Sequence, residues 1–304
     1  MNRSVGSVLY IYPCGEKTVT HVDQFESVFR SAVKAVFEYR KIDIRSILLV
    51  TDLGTEAAHA FQKAVAAFLQ FPATQAERQF FVITGSEYKT TNDLLQLLER
   101  YSADLICTYR NLHSNAWRFP HSLGEHLDVI LQKTDIPIMV LPQPSANYQA
   151  DHALQDTTDV MVVTDMMAVN DTLINYAAAF TNPEGDLYLT HVEDTRIFER
   201  YMDAISKIDV IDTETARKRL GEQLLKEPED YFHSCAEILK QHHPELEINS
   251  LVIFSELVAE YRHQVNSRKI DLLVLSAKDE RQHAMHSVAY PLAVELRQIP
   301  LLLI

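Results

Sequence analysis

His283 and His286 stand three residues apart with Asp279 just upstream, a spacing that could bring two imidazoles and a carboxylate around a divalent cation. His121 and His126 make a second such pair. Cys14 follows an apolar run and could present a thiol whose pKa a helix N-terminus would lower. Histidine pairs at a loop-to-helix junction commonly cap or face solvent, and Cys14 is read as a strand-end residue, so neither metal nor nucleophile is expected. No GxSxG, HExxH or kinase-like signature assembles a nucleophile, a base and an orienting acid. The seven glycines are Gly6, Gly15, Gly54, Gly85, Gly124, Gly185 and Gly221, and no two lie within eight residues of each other. A P-loop and a dinucleotide fingerprint both need closely spaced glycines, and both are excluded. The expectation is binding without catalysis, and no cofactor.

The 304 residues suffice for two ordinary domains, and 47% hydrophobic with 23% charged residues is a globular composition. A net charge of −14 argues against nucleic acid or an anionic membrane surface as the main partner. Three widely spaced cysteines, Cys14, Cys107 and Cys235, without a CxxC, suit a reducing compartment. The N-terminus shows no apolar core followed by a cleavage site, and no apolar run approaches the roughly 18 residues that span a bilayer. A cytoplasmic protein without membrane insertion is expected.

Any chemistry these groups perform must be positioned by ten short apolar runs. The first five are SVLYIYP (7–13), SILLVTD (46–52), FFVIT (80–84), DLICT (104–108) and IPIMVL (136–141). The second five are DVMVVTD (159–165), DLYLTHVED (186–194), SLVIF (250–254), DLLVL (271–275) and IPLLLI (299–304). Helical spacing separates them, as at Val22, Phe25, Phe29, Val33 and Val36 within 21–40, and at Ala57, Phe61, Ala64, Val65 and Phe68 within 55–69. Such an alternation predicts parallel strands buried on both faces. The halves also match each other. ADLICTYRN parallels IDLLVLSAKD, and HSLGEHLDVILQKTDIPIMVL parallels HSVAYPLAVELRQIPLLLI. VTD occurs at 50–52 and 163–165; counting five strands per half makes the first the end of a second strand and the other the end of a first strand.

This layout, with YLTHVED after the first helix of the second half and DLLVL…HSVA…LRQIPLLLI closing it, resembles the universal stress protein family in tandem form. The resemblance implies two Rossmann-like, α/β five-stranded parallel sheets of order 3-2-1-4-5 with flanking helices, arranged as an intramolecular pseudo-dimer. It implies a domain over 1–144, a linker over 145–156 and a domain over 157–304. Family members that bind ATP place adenine near the ends of strands one and two, and the phosphates in a glycine loop after strand four. Here the corresponding stretches, TYRNLHSNAWRFPHS and LSAKDERQHAMHS, contain no glycine, and Asp279 and Glu280 would repel phosphate. By the same resemblance Asp165 faces a ligand, His191 and Val192 border it, and Ser276, His286 and Ser287 line the loop. In the first repeat Pro13 or Cys14 would stand where that aspartate should be.

Residues 194–249 are longer than their counterpart 53–78 and predict added helix, capped near Thr213 and broken at Pro228. They could form a lid, a docking surface or a solvated excursion. The function expected is a stress-response or regulatory protein that binds an unknown protein partner, with a small molecule as a further ligand of the second repeat and a homodimer of pseudo-dimers as a further assembly. The alternatives are an adenine-nucleotide sensor with slow hydrolysis and a regulatory domain acting on a transporter.

Overall fold

Residues 46–50, SILLV, carry aliphatic side chains on both sides of the backbone, and the strand they form is covered on both faces. Leu48 and Val50 enter one core and Ile47 and Leu49 the other. The same holds along most of the sheet. In this computed structural model, which describes residues 36–70, 78–119, 121–164, 170–276 and 288–304, nine of the ten apolar runs become strands. They are β1 (Ser46–Val50), β2 (Gln79–Ile83), β3 (Leu105–Tyr109), β4 (Ile138–Leu141), β5 (Asp159–Val163), β6 (Asp186–Asp194), β7 (Glu247–Ser255), β8 (Leu272–Leu275) and β9 (Leu301–Leu303). The tenth run, 7–13, lies outside the described residues.

The strands form one continuous sheet in the order β2-β1-β3-β4-β9-β8-β5-β6-β7. Every pairing is parallel except β4 with β9, where Ile138, Met139 and Val140 face Leu303, Leu302 and Leu301. IPLLLI is therefore covered by its counterpart IPIMVL on one side and by β8 on the other. The second half has the order expected from the resemblance, 3-2-1-4-5 reading from β7 to β9.

The first half departs from it. β1 pairs directly with β3 through Ile47–Leu105, Leu48–Ile106 and Leu49–Cys107, so residues 46–50 occupy the first-strand position and not the second. β2 takes the second-strand position, and among the described residues no third strand lies beyond it. Hydrogen bonds agree on the correspondence. Thr51 N–H donates to the Ile83 carbonyl and Thr164 N–H to the Thr190 carbonyl, both at 3.0 Å. Ser46 N–H donates to Asp104 Oδ2 and Asp159 N–H to Asp271 Oδ2, both at 2.9 Å. Counting five strands per half misplaced the register; the repeated VTD had it right.

Helices α1 (Thr55–Phe68), α4 (Asp171–Phe180) and α6 (Thr213–His242) cover one face, through Val65 and Phe68, Leu173 and Ala177, and Tyr231, Phe232, Cys235 and Leu239. The other face carries α2 (Thr91–Leu98), α3 (Glu125–Lys133), α7 (Leu257–Arg268) and α8 (Ala289–Glu295). Residues 36–40, the described end of the stretch 21–40 expected to be helical, form no helix, and neither do 41–44 after them. Their backbone is held by side chains of the second half: Phe37 N–H donates to Ser234 Oγ, Glu38 N–H to Asp171 and Arg40 N–H to Asn175 Oδ1. Phe37 and Ile44 are buried, and Tyr39 stacks on His242 at 3.9 Å between centroids. Tertiary bonds here replace those a helix would make.

The insertion contains α5 (Thr195–Ile205) and α6. Asp212, not Thr213, caps α6, its carboxylate accepting from Glu214 N–H. Pro228 does not break the helix but lies buried inside it. A proline there removes one backbone bond and costs about 3 kcal/mol; the four core side chains that follow it offset that loss. α5 and the turn after it leave Ile197, Tyr201, Ile208, Val210 and Ile211 exposed. Residues 145–156 are docked onto the second half, with Ala150 N–H donating to the Gln298 carbonyl at 3.0 Å.

Candidate strand-end site

The corrected register places Asp52 at the end of the first strand of repeat one, matching Asp165 of repeat two. β1 delivers it beside the end of β3, where Tyr109 is fully buried. The Tyr109 hydroxyl donates to Asp52 Oδ1 and accepts from Asp52 N–H at 3.1 Å. Its single proton thus committed, the 2.7 Å contact with Thr51 makes Thr51 the donor, and Thr51 Oγ1 in turn accepts from Leu53 N–H at 3.0 Å. The second carboxylate oxygen accepts from His113 N–H at 2.8 Å. Asn111 and His113, with φ of 57° and 55°, turn the loop after β3 so that this N–H points back at Asp52. Burial first, and then the bond to Asp52, push the Tyr109 hydroxyl well above the usual phenol range, which keeps it a donor.

A shell of rings closes the site. Tyr88 meets His113 edge-on at 4.7 Å and His126 at 5.5 Å between centroids. Gly85, at the position that Val192 fills in repeat two, lets β2 turn in tightly, since a Cβ there would sit 2.2 Å from the Asp52 carbonyl oxygen. Among the described residues neither the Tyr88 hydroxyl nor His126 Nε2 has a hydrogen-bond partner. Burial, and next the neighbouring His113, lower the His126 pKa below the ordinary imidazole value; the Lys89 backbone, Glu125 and Asp52 oppose them.

An imidazole harder to protonate in the folded chain is protonated first in the unfolded one, so stability falls as pH drops below the ordinary histidine range. Urea midpoints measured at pH 7.5 and about pH 5.5 are expected to fall less in His126→Phe than in the wild type. Parallel falls would show that neutral His126 is not the cause.

In repeat two the register sets Thr164 where Thr51 stands, His191 where Thr84 stands and Ser276 where Tyr109 stands. His191 is buried, with Nδ1 3.1 Å from the Thr164 carbonyl oxygen and Nε2 3.0 Å from Glu193 Oε1. Val192 is buried too, and its N–H donates to the Tyr261 hydroxyl at 3.1 Å. Ser276 is half-buried. The structure thus places His191 and Val192 within β6, beside and beyond the end of β5, and Ser276 just after β8, while Asp165, His286 and Ser287 lie outside the described residues, as do Pro13, Cys14, Asp279 and His283. Cys107 and Cys235 are buried free thiols, and burial pushes the Cys235 thiol up to about 12. Among the described residues no three His, Cys, Asp or Glu side chains are grouped to hold a metal, and no helix is long and apolar enough to cross a membrane. His121 is exposed, and His126 packs inward.

Solved structures similar to this chain include a universal stress protein. It comes from Archaeoglobus fulgidus, with 13% identity, a TM-score of 0.44, and coverage of 86% of this chain and 98% of that one. A functionally unknown protein from Pseudomonas aeruginosa aligns with 10% identity and a TM-score of 0.48, over 86% of this chain and 92% of its own. No family model matches the sequence, and no curated protein does.

Asp52, Tyr109, Tyr88 and His113 were not anticipated as a site. The signal for Asp52 was present in the second VTD. Tyr109 carries no motif, because its role depends on β1 and β3 being neighbours.

Proposed function

We propose that the chain is a tandem regulatory protein of the universal stress type that acts in the cytoplasm by binding rather than catalysis. In this reading residues 1–144 and 157–304 are two domains of a pseudo-dimer joined by 145–156, and any small ligand is taken by repeat two. One observation carries the asymmetry. Both oxygens of Asp52 are already engaged by Tyr109 and His113 within repeat one, whereas Ser276 replaces that tyrosine in repeat two. The glycine-free loops at 108–122 and 275–287 favour a ligand other than a nucleoside triphosphate. The exposed apolar side chains of the insertion, Ile197, Tyr201 and Val210 among them, suit a protein partner.

The test is mass spectrometry of small molecules retained by the purified protein, together with calorimetric titration of ATP, ADP and AMP. The expected result is no triphosphate binding, and any retained ligand lost in Asp165→Ala but kept in Asp52→Ala. Micromolar ATP affinity abolished by Asp165→Ala would replace this reading with a nucleotide sensor.

A further inference from the structure

Arg110 follows the last residue of β3, yet its side chain belongs to the other repeat. It is 1% exposed, and its Nε and Nη2 donate to the Ala293 carbonyl at 2.9 and 2.5 Å, with Nη2 also 2.9 Å from the Leu296 carbonyl. These are carbonyls at the C-terminal end of α8, where a cation is favoured. Three of the five guanidinium N–H groups are thereby placed. The remaining two, on Nη1, are buried with no partner among the described residues.

Among the described residues the surroundings add positive charge, and no carboxylate bonds to Arg110. Arg297, two residues beyond α8, lies over the Tyr148 ring at 4.6 Å and donates from Nη1 to the Trp117 carbonyl at 3.1 Å. The groups whose charge acts on Arg110 are Tyr148 and Arg297, and Arg297 acts by repulsion. Glu295, the acid nearest Arg297 along the chain, is engaged by Arg262. The Tyr148 hydroxyl is itself buried; the Gln143 N–H acts on its oxygen, but no group of the described residues reaches hydrogen-bonding geometry with it. So a chain of net charge −14 gathers two guanidinium groups near one tyrosine, and three of their donor atoms are held by carbonyls that cannot neutralise them.

A buried guanidinium stays protonated at neutral pH, and leaving one unpaired is among the costlier arrangements in a protein interior. An acceptor of opposite charge beside Nη1 and the Tyr148 hydroxyl removes that cost with both donors satisfied. We propose that Arg110, Tyr148 and Arg297 form a binding site for a small monovalent anion of halide size. Its residues come from both halves and the link between them: Arg110 follows β3 and bonds to the end of α8, Arg297 follows α8, and Tyr148 lies in the linking segment beneath Arg297. Half-buried Arg297 and Tyr148 form its solvent side, and fully buried Arg110 its floor. The anion strengthens the joint between the halves, as any ligand bound only to the folded chain stabilises it.

Two variants leave the Arg110 bonds to α8 intact: Tyr148→Phe and Arg297→Gln. Thermal midpoints are measured in sodium bromide or chloride against sodium gluconate at equal ionic strength, and crystals are soaked in bromide. The expected result is a saturable rise in midpoint with halide, half-saturating at about tenfold higher concentration in either variant, and an anomalous bromide peak between Arg110 Nη1 and Tyr148 Oη. The proposal is overturned by no peak there, or by the same halide response in wild type and both variants. A bromide peak with a midpoint indifferent to halide marks an adventitious ion only, and overturns it equally.

Discussion

Leu302→Ala is expected to destabilise the whole chain by about 3 kcal/mol, with both halves unfolding at one lowered urea midpoint. Leu302 is fully buried at the centre of β9, paired with Val274 on one side and Met139 on the other. Its side chain enters the same core as Leu105, Val160 and Phe232, which come from both halves. Shortening it leaves a void that strands fixed on both flanks cannot close, so the loss includes a cavity contribution as well as the transfer of the missing atoms. The single tryptophan makes the test specific. Trp117 belongs to the first half, Leu302 to the second, and circular dichroism reports both. Fluorescence and dichroism midpoints should shift together in the variant. If fluorescence keeps the wild-type midpoint while dichroism moves, the β4–β9 pairing is only contact, and the halves fold independently.

The same junction shows what the sequence could and could not convey. Strands buried on both faces announce themselves as unbroken apolar runs, and nine runs were read correctly because burial on two sides leaves no alternation to confuse with a helix. The duplicated Ile-Pro endings pointed to β4 and β9. Strand order was harder, since it depends on which run lies between two others, and no single run records that. In the second half five runs filled five positions. In the first, the direct β1–β3 pairing moved the runs at 46–52 and 80–84 from second and third place to first and second, left 104–108 and 136–141 as fourth and fifth, and moved the strand-end aspartate from the place of Pro13 or Cys14 to Asp52. The helix expected to run to residue 40 failed over 36–40 for a related reason. Val33 and Val36 fit a helical stripe, but the bonds that fix the segment come from Asp171, Asn175 and Ser234, far along the chain. Pro228 shows the reverse case, a correct local rule overcome by the packing of Tyr231, Phe232, Cys235 and Leu239. The anion-site residues were invisible for want of any spacing: Arg110, Tyr148 and Arg297 meet only through the sheet's junction.

Tyr109→Phe is the substitution that most directly probes the strand-end site, and it is expected to cost about 3 kcal/mol. The change removes one oxygen and almost no volume, so packing against Phe61, whose ring meets Tyr109 edge-on at 5.8 Å, should survive. What disappears is the donor to Asp52 Oδ1 and the acceptor for both the Asp52 N–H and the Thr51 hydroxyl. Asp52, which is half-buried, then keeps only the His113 N–H, and a carboxylate partly stripped of its donors there is costlier than a neutral bond exchanged for water. Asp52→Asn alone should cost less, because an amide still accepts from His113. The double variant should lose less than the sum of the two, with a coupling of about 2 kcal/mol in a mutant cycle read from urea midpoints. A Tyr109→Phe cost under about 0.5 kcal/mol, a value typical of exposed positions, would mean that water already reaches Asp52. The carboxylate of repeat one would then be open to a ligand, and the proposal that the second repeat alone takes one would fail with it.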